Sequence, residues 1–146
     1  MNYFKEAEHV LSNRKNLDRS LLNLYRRQER LIDSGAPQGL TGLDPAKPYV
    51  TGGAVNNTMT DCLDLVEINK EIKVTEAKIK EISDVIGQLS DDGKMVLSLW
   101  YIDGITKDEM CEKLHYASRK SLYDRRNRAI GEFAVLYFGA WGLDAN

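Results

Sequence analysis

Apolar side chains recur at alternating spacings of four and three residues along two separate stretches of this chain. In the first, the rhythm runs through Tyr3, Ala7, Val10, Arg14, Leu17, Leu21, Leu24, Gln28 and Leu31, seven of the nine being apolar or aromatic. In the second it runs through Leu65, Ile68, Ile72, Thr75, Ile79, Ile82, Ile86 and Leu89. This spacing lines one face of a helix with side chains that only another helix can cover, the seam of a coiled coil. It predicts one long helix from Tyr3 to Ile32, free of Gly and Pro, and a second that closes near Leu89.

Between them, Asp33–Asn57 carries Gly35, Pro37, Gly39, Gly42, Pro45, Pro48, Gly52 and Gly53, including every proline of the chain. That composition opposes a helix, and a connection of about 25 residues is long for a compact domain. A flexible Gly/Pro loop is expected over residues 34–57. It permits either a hairpin within one chain or exchange of helices between subunits.

Beyond Leu89 the elements shorten. Ser90 reads as an N-cap with Asp91 and Asp92 in the first turn, where the helix dipole favours acids. Met95, Val96, Leu99, Trp100 and Ile102 supply an apolar face, and Asp103-Gly104 stops the helix, the glycine fitting a left-handed cap. Thr106-Lys107-Asp108-Glu109 is a capping box that opens a brief helix with Met110, Cys111 and Leu114 facing inward. Leu114-His115-Tyr116-Ala117 is a turn too short for antiparallel packing. The last helix runs from Ser118 to about Phe138 with Leu122, Ala129, Ile130, Phe133 and Leu136 or Tyr137 inward, and Gly139 and Gly142 weaken its end. The expected fold is all-α: a long helical hairpin or coiled coil over residues 1–89 that sets the oligomer, then a helix-turn-helix over residues 90–146.

Composition narrows the function classes. The 146 residues are 42% hydrophobic and carry a net charge of −2, which argues against a protein that coats nucleic acid indiscriminately. Charge is concentrated locally, however. Arg119, Lys120, Arg125, Arg126 and Arg128 face only Asp124 within the first turns of the last helix. Screening limits electrostatic reach to about 8–10 Å at physiological salt, so this local excess decides whether phosphates are attracted. Cys62 and Cys111 lie apart, without a CxxC or a His pair, and read as small buried apolar residues rather than metal ligands. No secretory signal and no membrane-spanning run is evident, so a cytoplasmic protein is expected.

The Arg-rich helix supplies the candidate chemistry. Ser118, Arg119, Lys120, Ser121, Tyr123, Asp124 and Asn127 lie near its start, from which Arg can reach guanine, Asn adenine and an acid the cytosine amine. Arg125, Arg126 and Arg128 suit phosphates, and Thr106 and Lys107 open the helix before them. A second basic run, Arg14, Lys15, Arg19, Arg26, Arg27 and Arg30, reads best as a solvated coiled-coil face paired with Glu67, Glu71, Glu76 and Glu81. Trp100-Tyr101 reads as core rather than as a platform for single strands. His9 and His115 are isolated, and the acid pairs Asp91-Asp92 and Asp108-Glu109 are explained by helix starts. No catalytic set, metal site or cofactor loop is evident, so no enzyme is expected.

The run Leu89-Ser90…Val96…Leu99-Trp100-Tyr101-Ile102-Asp103-Gly104-Ile105-Thr106…Glu109-Met110…Leu114…Ser118…Leu122…Arg128-Ala129-Ile130 resembles the C-terminal promoter-reading domain of bacterial sigma factors. It resembles still more the phage and prophage late-transcription regulators of the ArpU/RinA type. The resemblance covers about 50 residues. It implies a sequence-specific double-stranded-DNA-binding activator of late genes, with RNA polymerase as a further partner and bases touched by Arg119, Lys120, Tyr123 and Asp124. The chain departs from the family at Arg125-Arg126, where an apolar residue is usual, so one of these arginines must snorkel from the core edge. Two other readings remain open: a module that binds polymerase or a sigma factor instead of DNA, and a small-terminase-like phage packaging protein.

Overall fold

The computed structural model describes residues 1–34 and 53–145. The expected loop lies outside the described residues over 35–52. Six α-helices follow in order among the described residues: α1 (Tyr3–Ser12), α2 (Arg14–Asp33), α3 (Gly53–Gly87), α4 (Asp91–Leu97), α5 (Lys107–Leu114) and α6 (Arg119–Phe138). A π-helical stretch, Ser98–Asp103, extends α4, and a 3-10 stretch, Gly139–Ala145, follows α6. There is no strand among the described residues, and the chain is all-α. None of the described helices is long and apolar enough to cross a membrane.

Two boundaries differ from the sequence expectation. The single helix from Tyr3 to Ile32 is divided at Asn13, whose side-chain amide donates to the His9 carbonyl at 2.8 Å beside its own backbone N–H at 3.1 Å. An Asn that competes for backbone acceptors in this way disturbs a helix without ending its ladder, and Leu17 N–H still reaches the Asn13 carbonyl. Helix α3 begins at Gly53, so residues 53–57 are helical rather than part of the loop. No Gly or Pro stands between Ala54 and Ile86, and extending a formed helix is far easier than nucleating one.

The chain forms two compact units, Arg19–Ala77 and Met1–Asp18 with Lys78–Asn146. In the first, Gln28 donates to Asn69 at 2.7 Å and Tyr25 donates to Glu76, an order of pairs that requires α2 and α3 to run antiparallel. Leu24, Leu65 and Ile72 of the two seams are buried there. Among the described residues, none of the expected ion pairs joins the basic run of α2 to the acids Glu67, Glu71, Glu76 and Glu81 of α3. Glu67 instead meets Lys70 and Glu81 meets Lys78, each within α3, while Arg14 meets Asp18. Partners three or four residues apart on one helix are nearer than those across a seam.

The second unit draws its core from both sides of Ser90, where the sequence suggests a domain boundary. Its main core joins Ala7 and Leu11 of α1, Ile82, Val85 and Ile86 of α3, Leu89, Leu97, Tyr101, and Ala129, Ile130, Phe133 and Ala134 of α6. The apolar positions on either side of Ser90 thus close on one another. A smaller cluster packs Val96, Leu99, Met110 and Leu122, and Trp100 touches both. Met95, expected inward, is 53% exposed, and Leu97 takes its place as a fully buried residue. Gly104 caps the π-helical stretch at φ 63°, as its position suggested.

Because α1 and α6 close one core, Leu11→Ala and Phe133→Ala should each lower the stability of the same cooperative transition. The expected losses are about 2–5 and about 3–5 kcal/mol, measured by urea denaturation. A Leu11→Ala protein with an unchanged α6 transition would separate the two helices energetically.

Candidate nucleic-acid interface

The candidate surface is built by α5, the turn after it, and the first half of α6. Thr106 caps α5, its hydroxyl accepting from Glu109 N–H at 3.2 Å. The reciprocal bond from the Glu109 carboxylate is not made among the described residues. The helix ends in a Schellman arrangement: Tyr116 N–H donates to the Cys111 carbonyl at 3.0 Å and His115 N–H to the Glu112 carbonyl at 3.4 Å. His115 occupies the left-handed position, φ 56° and ψ 38°, usually left to Gly or Asn. Tyr116 and Cys111, the flanking hydrophobic pair, pack on the smaller cluster. Ser118 then caps α6, accepting from Ser121 N–H at 3.3 Å. Three residues of turn and a cap thus set the direction of α6.

Leu122, Ala129, Ile130, Phe133 and Ala134 are buried, whereas Arg119, Lys120, Tyr123, Asp124, Asn127 and Arg128 are exposed. Successive helical residues turn by about 100°, so Lys120, Asp124, Asn127 and Arg128 fall on one outward arc. The polar free face lies on the first three turns; beyond them Ile130, Phe133 and Ala134 bind α6 into the main core, and Leu136 stays exposed. At the base of α4, Glu132 receives both the N–H of Ser90, at 3.0 Å, and its hydroxyl, at 3.3 Å.

Three of the arginines are paired with acids. Arg119 reaches Asp108 across the turn, with Nε at 3.1 Å and Nη2 at 2.9 Å from the same carboxylate oxygen, and this pairing raises the arginine's pKa. Arg125 meets Asp92 of α4 at 2.9 Å. Arg126 is the residue that occupies the anomalous inward position. Its side chain is 16% exposed, donates to the Tyr101 hydroxyl at 3.1 and 3.3 Å, and lies 3.4 Å from Glu8. Its guanidinium carbon also stands 4.9 Å from the Trp100 ring centroid, a cation–π contact. Burial raises the Tyr101 pKa, outweighing the opposite pull of Arg126, and the phenol oxygen accepts from the guanidinium. Arg126 is therefore a packing residue and not an accessible phosphate ligand.

Lys107 Nζ lies 4.9 Å from the same Trp100 ring, and Tyr123 meets that ring edge-on at 5.2 Å. Trp100 is consequently core on one side and support for the surface on the other. Thr106, Ser118 and Ser121 serve the caps. Lys120, Asp124 and Arg128 have no ion pair among the described residues. The excess positive charge read along the helix is thus largely matched by Asp108, Asp92 and Glu8. These acids were missed as partners because each lies on another element. Asp92 and Asp108 were visible only as helix-start residues, and Glu8 gave no separate signal. No group of three or more His, Cys, Asp or Glu among the described residues could hold a metal ion.

A family model described as Protein of unknown function (DUF1492) matches residues 47–134, more than half of the chain, and the chain belongs to this family. The matched span takes in α3, α4, the π-helical stretch, α5 and α6 as far as Ala134. No curated protein and no solved structure matches the chain.

Arg126→Ala should cost about 1–3 kcal/mol of stability, since Glu8 and Tyr101 lose a part-buried charged partner. Lys120→Ala, on the exposed arc, should change stability by less than about 0.5 kcal/mol. Thermal denaturation of the two proteins measures the contrast, and equal effects would remove the packing role of Arg126.

Proposed function

We propose that this member of the DUF1492 family is a sequence-specific double-stranded-DNA-binding transcription regulator that lays the first half of α6 in the major groove. The observation that carries the reading is the division of α6 into an exposed polar half and a buried apolar half, with α5 capped and turned across its start. Such a division leaves Lys120, Asp124 and Asn127 able to meet base edges while the core holds the helix by its other end. Lys107 and Arg128 flank that face and suit phosphates. Late-gene activation in a phage or prophage, in the bacterial cytoplasm and with RNA polymerase in contact, is the role carried over from the sigma-like and ArpU/RinA-type resemblance. A homo-oligomer formed through the α2 and α3 region would bring two such helices to one site.

One observation favours a second reading, a module that docks on polymerase or a sigma factor. Three of the five cations of the basic segment are already matched by acids, and Leu136, Trp141 and Leu143 are exposed beyond the core. Salt separates the two readings. Retention of duplex DNA should weaken with salt at a slope of about −0.9 per phosphate contact, so roughly −2 for Lys107 and Arg128 together. Selection from a randomised duplex library should yield a defined site, and joint replacement of Arg119 and Lys120 by Ala should abolish its specific retention while the protein stays folded. A library that yields no site would sink the DNA reading, and unchanged binding by the double variant would sink the assignment of α6.

A further inference from the structure

We propose that Asp108 is a positioning residue for base recognition: it occupies one edge of the Arg119 guanidinium and so aims the other edge at a guanine in the major groove. The inference rests on the DNA-binding reading above and carries it to a single base contact. Arginine has five N–H donors in a rigid planar fork, with one usable edge formed by Nε and Nη2 and another by Nη1 and Nη2. Asp108 Oδ1 receives both Nε, at 3.1 Å, and Nη2, at 2.9 Å. Two donors are held. Three remain, two on Nη1 and one on Nη2, and one from each nitrogen forms the end-on edge that matches O6 and N7 of guanine.

The place of the pair fits this role better than a role in folding. Both side chains are largely exposed, 62% for Arg119 and 76% for Asp108, and an ion pair so open to water adds little to stability. It nevertheless bridges the first turn of α5 and the first turn of α6, across the turn that presents the exposed face. The helix start at α5 favours the Asp108 charge, so the acceptor is in place before any ligand arrives. An unheld arginine at the start of α6 would swing freely among phosphates and bases. Held along one edge, it keeps one direction. Arg125 lacks this geometry, because it meets Asp92 through Nη1 alone.

The test is selection of bound duplexes from a randomised library with the full chain and with Arg119→Ala, Asp108→Ala and Asp108→Asn. Arg119→Ala should erase a guanine preference at one position of the selected site. Asp108→Ala should relax that same preference by about tenfold and leave the other positions unchanged, the size expected when one bidentate contact loses its orientation. Its affinity for unselected duplex should rise, since a negative charge has gone from beside the phosphates. Asp108→Asn keeps the side-chain shape and one acceptor oxygen, so it should relax the preference less; it also stands in should the Ala variant fail to fold. A guanine preference that is unchanged or sharpened in the Asp108 variants overturns the inference and leaves the DNA reading standing. The same holds if Arg119→Ala lowers affinity evenly at all positions. Failure of the wild-type chain to retain any duplex overturns both.

Discussion

Ile130, Phe133 and Ala134 are sealed by side chains from α1, from the end of α3 and from the stretch after α4, and this burial determines what α6 can present. A helix held at one end over its last three turns leaves its first three turns to be directed by what packs beneath them. Here that is Leu122 on Val96, Leu99 and Met110. The π-helical stretch matters in this respect. By widening the turn at Ser98–Asp103 it allows Tyr101 to enter the main core while Trp100 spans both clusters. One wide turn thereby couples the two packings, and rare turns of this kind recur where a fold must aim a side chain.

Arg126 shows how a charged residue is accommodated on an inward face. Its stem lies along apolar surface, its guanidinium finds the Tyr101 hydroxyl and the Glu8 carboxylate, and the Trp100 ring covers the remaining side. A buried charge without those partners would be costly, and an apolar residue of similar volume would often be at least as stable. What the arginine adds is a polar tie from α6 to α1. This tie reaches from the candidate surface to the helix that the seam pattern had assigned to a separate region.

The distance in sequence between such partners explains the limits of what was legible in the chain. Periodicity located the helices well because the burial of Leu65, Ile72, Ile82 and Ile86 is a local property of spacing. Caps at Ser90 and Thr106 were equally legible, since each satisfies backbone groups within three residues. The unit boundary was not, because a seam of constant spacing does not record which helix covers which part of it. Leu97 replaced Met95 for a related reason: the inward stripe of α4 is Gly93, Val96 and Leu97, an ordinary helical spacing that starts on a glycine and so carries no apolar signal at its first position. Partners of the arginines were hidden altogether, as Asp92, Asp108 and Glu8 are distant in sequence or explained by another role.

The pairing of those arginines bears on how a DNA reader with a net charge of −2 would gain its selectivity. Phosphate attraction supplies affinity for every sequence alike, and it scales with the number of cations free to release counterions. With Arg119, Arg125 and Arg126 matched by acids, that number falls to a few, and indiscriminate binding falls with it. Discrimination would then rest on base-edge contacts made by groups whose direction is fixed before contact. Acids beside a basic helix therefore do not argue against DNA as the partner. They trade general affinity for orientation, and the proposed function calls for that exchange.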